Sequence, residues 1–372
     1  MAVFVCAECG GRLTTDVLRV ALPAHAHASY GNGIQLPVLM EAGTYAVDPE
    51  PWGPPWRTWD ELAPGEAARR GVFLPVPRLS DAPAGAVVIA PGDVRGTRLV
   101  PEQSDGACCG MDGRDGPNMA CASCASPVAT RVDDCSLWQA VWFAPDAVRR
   151  MPTDGDAADP LAWEQVVDQV QPSAPFEPIA TWGGGRYGTG HYWSWSPRWE
   201  AAAGQALAHL VAASEGQPLT VPDGLTAQVF QRALDALLPD GPPRRRAVLA
   251  GPGLPVAADG ADVLLVPVHP QTGEPWDPPG AAHSAYRVPL PADLWLTLVR
   301  PQPRGPVPEP VSGGLPPLVR CDYPIPPGGR GHFWVDRWMF RRTAARLPAA
   351  RHPWFREVIE HRAERGRSHG LF

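Results

Sequence analysis

Two C-x-x-C pairs constrain this chain more than any other feature. Cys6 and Cys9 lie in "VFVCAECGGRL" (3–13), and Cys121 and Cys124 in "CASCAS" (121–126). Two intervening residues let a tight turn place both sulfurs about 2.3 Å from one metal ion, near the tetrahedral angle. Backbone N–H groups in such a turn can donate to the thiolates and offset their charge. Two pairs together make a four-thiolate zinc site, with the ion holding structure rather than performing chemistry. Because Cys121 follows Cys9 by 112 positions, everything between becomes an insertion whose ends meet at the ion. Loop-closure entropy grows slowly with length, so this convergence is allowed. The alternative quartet is local: one of Cys108 or Cys109 with Cys121, Cys124 and Cys135. Adjacent Cys108 and Cys109 do not easily serve one tetrahedral ion. A redox role fits poorly, because "GGRLTTD" after Cys9 does not begin the helix that would depress a thiol pKa.

At "CAECGG" and "CASCAS" the chain resembles a zinc ribbon, a fold of two knuckles that each lead a hairpin. The resemblance covers about twenty residues and implies a structural zinc on Cys6, Cys9, Cys121 and Cys124; ribbons serve many roles, so it implies no activity. Gly10 suits the positive φ of the first knuckle, and Ala125 stands where glycine is common in the second.

The 372 residues predict two or three domains with real cores, 44% being hydrophobic. No apolar run approaches the ~18–20 residues that span a bilayer, so no membrane partner is expected. The start lacks a basic segment followed by a long apolar one, which predicts no signal peptide and a cytoplasmic location. Thiols stay reduced there. All 32 basic residues are arginine, which excludes lysine Schiff-base chemistry and lysine-based phosphate loops. With 47 prolines and 38 glycines, loops should be extensive.

The expected fold class is α+β. Residues 1–153 form a zinc-binding domain with strand-like stretches at 17–22 and 86–90, and proline-rich pieces such as "PEPWGPPWRTW" (49–59). Residues 161–300 form an α/β-type domain. Helices are predicted at 199–214 and 225–238 from apolar residues at helical spacing, and strands at 246–251, 262–268, 286–290 and 294–299. Residues 301–317 read as a linker, and 318–372 as a basic, aromatic-rich tail with helices at 332–347 and 352–366 that docks on the body. Residues 330–372 carry ten arginines against four acids, a charge of +6. The overall −7 therefore leaves −13 on the rest, to which the tail is complementary.

Other residues carry weaker expectations. His25 and His27 stand two apart and would face one way on an extended strand, a start for a catalytic metal site completed by Cys108, Cys135 or an acid. Gly183, Gly185 and Gly188 match G-x-G-x-x-G without the helix that dinucleotide binding requires, which makes Arg186 and His191 ligand contacts. "GACCGMDGRDGPNMAC" (106–121) places Asp112, Asp115 and Asn118 three apart, which fails the EF-hand pattern. Ten of the 15 tryptophans cluster at 52–59, 182–199 and 334–354, and in the tail Arg337 and Arg341 flank Trp338.

Three functions follow. The favoured one is a zinc-stabilised cytoplasmic binding or assembly protein without catalytic activity, with a protein partner. The first alternative is a metal-dependent hydrolase using His25 and His27. The second is a nucleic-acid binder acting through the Arg- and Trp-rich tail.

Overall fold

A computed structural model describes residues 1–30, 34–103, 110–153, 159–181, 190–255, 261–279, 284–300 and 332–363. Cys108, Cys109, Arg186, the three glycines of the G-x-G-x-x-G match and the 301–317 segment lie outside them. Helices and sheets both occur, as an α+β reading expects.

The first half is built on a seven-stranded sheet. Its order is Leu18–Arg19, Thr44–Val47, Val87–Ile89, Ala140–Phe143, Pro127–Val132, Met119–Cys121, Thr97–Leu99. All neighbours are antiparallel except the first pair. Side chains alternate across a strand, and here both faces are covered. Tyr45, Val87, Ile89, Val141 and Phe143 face one core with Phe4, Leu13 and Val17. Ala46, Val88, Ala140 and Trp142 face another with Leu36, Met40 and Trp138. Burial on both sides explains why "AVVIA" and "AVWF" are apolar without alternation. The chain's first strand, Ala2–Cys6, pairs antiparallel with Val148–Pro152, setting Cys6 opposite Val148. In the proline-rich 49–59 piece, Trp56–Thr58 forms a two-stranded ribbon with Arg78–Ser80. That is the edge position proline tolerates.

The second half centres on a parallel four-stranded sheet: Leu219–Thr220, Arg245–Leu249, Val263–Val268, Tyr286–Pro291. Val263, Leu265, Val288 and Leu290 pack under two helices, Pro197–Ser214 and Leu225–Leu237. The opposite face, Leu264 and Val266, is covered by Ala250 and Trp276. The stretch expected as a strand at 294–299 is instead the helix Ala292–Val299. A short apolar run buried all round carries no period to separate helix from strand. Here Pro291 precedes the helix and Asp293 sits in its first turn, where a carboxylate favours helix.

Described tail residues pack on this half. The helix Arg337–Ala344 starts at Asp336, whose carboxylate accepts from the Met339 amide at 2.6 Å. Phe340, Phe355 and Ile359 are buried in the core that holds Trp199 and Leu210. Within its described residues the second predicted tail helix is irregular: Pro353–Glu357 runs into one wide turn, Val358–Arg362. A third sheet, Gly190–Trp195, Phe176–Thr181, Ile34–Gln35, pairs residues from both halves. No helix among the described residues is long and apolar enough to cross a membrane.

Candidate metal centre and adjoining cavity

Each C-x-x-C pair occupies a hairpin tip. In the first, the Cys6 amide donates to the Gly11 carbonyl at 2.8 Å and the Gly10 amide to the Cys6 carbonyl at 2.9 Å. In the second, the Cys121 amide donates to the Ser126 carbonyl and the Ala125 amide to the Cys121 carbonyl, both at 2.9 Å. The two turns are therefore the same object built twice. Gly10 (φ 73°) and Ala125 (φ 64°) hold the same left-handed position. Gly11 lies where the tips meet: a Cβ there would stand 3.3 Å from Cys9 Sγ and 3.4 Å from Ser123 Oγ.

The tips bring the four sulfurs together. Cys6 Sγ is 3.6 Å from Cys124 Sγ, and Cys9 Sγ is 3.6 Å from Cys121 Sγ. All four lie within 4.8 Å of one another. A tetrahedral ion with bonds near 2.3 Å would set its sulfurs about 3.8 Å apart. The spacing thus fits a soft divalent ion, and four thiolates are a zinc donor set. Cys6 and Cys121 are buried and Cys9 and Cys124 exposed. The knuckle amides are aimed at sulfur as expected. Cys124 is lowered to about 6 by the Ser126 hydroxyl and then the Ser126 amide. For Cys9 the Gly11 amide lowers the pKa, but Cys124, Cys121, burial and Cys6 together raise it to about 12. Without a cation, the four thiols compete for protons. An ion would replace that competition with four thiolate bonds.

The other expected ligands go elsewhere. Cys135 is buried outside this group. His25 packs against Trp138, with ring centroids 4.2 Å apart, and burial followed by the charge of Arg198 lowers it to about 3. His27 Nε2 lies 3.2 Å from Oδ2 of the fully buried Asp48. Residues 24–27 form a turn rather than a strand, with His25 against Trp138 and His27 5.8 Å from the Trp142 ring. Among the described residues, the four cysteines are the one group of three or more such side chains able to share an ion. His191 sits in the strand Gly190–Trp195 opposite Ala180. Arg337 and Arg341 are half-buried on the tail helix.

Sequence reasoning missed a cavity of about 540 Å³ lined by segments far apart in the chain. Trp52 stacks on Trp142, centroids 4.3 Å apart and planes 13° apart, on the second face of the large sheet. Trp56 lies beneath the Arg78 guanidinium, 4.5 Å from its centroid. Arg342 and Arg346, from the tail, both bond Glu50, at 2.6 and 3.0 Å. Burial and then Arg346 lower Arg342 to about 10, still protonated at neutral pH. Trp338 also lines the cavity and anchors the tail, its indole N–H donating to the His27 carbonyl at 2.9 Å. None of the four cysteines lines it. The tryptophan cluster at 52–59 was the available signal; its partners 80 or more residues away were not.

Searches against family models, curated proteins and solved structures find no match for this chain.

Proposed function

We propose that this protein is a non-catalytic, cytoplasmic binding protein whose first half is held by a structural zinc in a ribbon-like pair of knuckles. The observation that carries the reading is the donor set: four cysteine sulfurs within 4.8 Å of one another, which would fill the four positions of a tetrahedral ion. Catalytic zinc keeps one position open. The cavity supplies what a binding role needs, a concave surface with rings and charges converging from several segments. Zinc joins parts of the first half that the chain separates by 112 positions. A cross-link closing a loop of about 100 residues is worth roughly 5 kcal/mol.

Elemental analysis tests the reading. One zinc per chain is expected in the wild type and in His27→Ala. Cys6→Ser/Cys9→Ser should hold none and lose roughly 5 kcal/mol or more of stability. A second metal that disappears with His27 would favour the hydrolase instead.

A further inference from the structure

We propose that the cavity binds a nucleotide, a planar aromatic ring carrying a phosphate, with the ring on the tryptophan faces and the phosphate on Arg78 and the Arg342–Arg346 pair. The inference rests on the reading of the protein as a binding protein and names its ligand class.

The charge balance comes first. Five arginines line the cavity (70, 78, 114, 342 and 346) against Glu50 and Asp112, in a protein whose net charge is −7. Four of the five are matched or partly matched. Arg70 pairs with Glu66 and Asp81, and Arg114 with Asp112. Arg342 and Arg346 share the carboxylate of Glu50, and the buried Asp48 carboxylate also favours the Arg342 charge. Arg78 makes no ion pair among the described residues. It lies over the Trp56 ring; burial and then Arg114 lower its pKa, while the Asp112 carboxylate opposes them. The Arg78 guanidinium, which has no ion pair of its own among the described residues, and the Arg342–Arg346 pair thus face one cavity. A phosphate monoester carries ≈ −1.5 to −2 at neutral pH. Guanidinium forks match its oxygens in pairs of hydrogen bonds.

The rings come second. Trp52, Trp56, Trp142 and Trp338 all contribute to the wall. Trp52 and Trp142 already stack on each other and Arg78 covers one face of Trp56, so a base would take the outer faces of Trp52, Trp56 or Trp338, as every base has a π-face. An acidic peptide would satisfy the arginines but leave these faces unused. An uncharged sugar would use the rings but not the charges. At about 540 Å³ the space lies in the usual ~300–1,000 Å³ of small-molecule sites.

The test is isothermal titration of the full-length, zinc-loaded protein at low salt. The probes are adenosine and guanosine 5′-monophosphates, adenosine, inorganic phosphate, and a 5′-phosphorylated DNA tetranucleotide. A mononucleotide should saturate one site per chain. Adenosine and phosphate alone should each bind at least about tenfold weaker, since each makes half the contacts. Arg78→Gln should weaken the mononucleotide about tenfold or more and leave adenosine unchanged, and Arg78→Lys should recover part of the loss. Arg78 is exposed, so neither change should disturb folding. Tetranucleotide binding tenfold tighter than the monomer, with a steep salt dependence, assigns the site to a strand end. Equal binding assigns it to free nucleotides. Either result supports the proposal. No saturable heat with any nucleotide, from protein that keeps its zinc and its melting transition, overturns it, as does unchanged binding in Arg78→Gln. Nucleotide binding by a chain that holds no zinc would sink the zinc reading and leave this one standing.

Discussion

Ala125 is the one non-glycine residue asked to do a glycine's work in the knuckles. Its φ of 64° matches the 73° of Gly10 in the other turn. A Cβ in the left-handed region costs about 1–2 kcal/mol, part of which the stiffer unfolded chain returns. Ala125→Gly should therefore stabilise the protein by about 1 kcal/mol in denaturant melts with zinc binding intact. An unchanged or lowered midpoint would mean the turn is not strained. At this scale the sequence was informative where chemistry is local. Cys6, Cys9, Cys121 and Cys124 could be picked out because C-x-x-C spacing and ligand type belong to the residues themselves. The shared facing read from the alternation of His25 and His27 presupposes a strand, and the backbone there turns. Trp52, Arg78 and Arg342 could not be grouped, because only tertiary folding makes them neighbours.

Among the elements, the long helix Pro197–Ser214 and the tail helix Arg337–Ala344 approach at Gly204. A Cβ at Gly204 would stand 2.5 Å from the Asp336 carbonyl oxygen and 3.0 Å from the Phe340 nitrogen. Gly204→Ala must push the tail outward. A loss of about 1–3 kcal/mol is expected, with faster hydrogen exchange confined to 332–363. Unchanged exchange there would deny the close approach. The same junction holds a buried carboxyl. Tyr30 Oη lies 2.6 Å from Glu200 Oε2 and 3.0 Å from the Pro197 carbonyl. Burial raises Glu200 from the ordinary 4.5 to about 8, a rise to which the Asp336 charge adds and which the Tyr30 hydrogen bond opposes. The folded chain thus keeps a proton that the unfolded chain gives up. This contribution is complete below 4.5 and is lost as pH rises through about 8. Glu200→Gln keeps the acceptor and removes the titration, so its stability relative to wild type should climb between pH 5 and 9 in denaturant melts. A difference that does not vary with pH would contradict this assignment. Most elements of the second half were legible because their period was strong: the helices expected at 199–214 and 225–238 are Pro197–Ser214 and Leu225–Leu237. The 294–299 run was not, since burial on every side erases the pattern that distinguishes helix from strand.

Over the whole molecule, two cores on opposite faces of one sheet divide the labour. The face with Phe4, Cys6 and Cys121 carries the hairpin tips and their sulfurs. The face with Val88, Trp138 and Trp142 carries the tryptophan cavity, which the tail's Arg342 and Arg346 complete from the far end of the chain. The four cysteines and the cavity thus stand on two sides of the same strands, and a metal held by the cysteines would keep those strands in register. X-ray absorption at the zinc edge of the purified full-length protein examines that most directly. Four sulfur neighbours at about 2.3 Å and one zinc per chain are expected, with no metal held by Cys6→Ser/Cys9→Ser. A shell containing nitrogen or oxygen, or full occupancy after both N-terminal cysteines are replaced, would show that Cys6 and Cys9 never meet Cys121 and Cys124 at one ion.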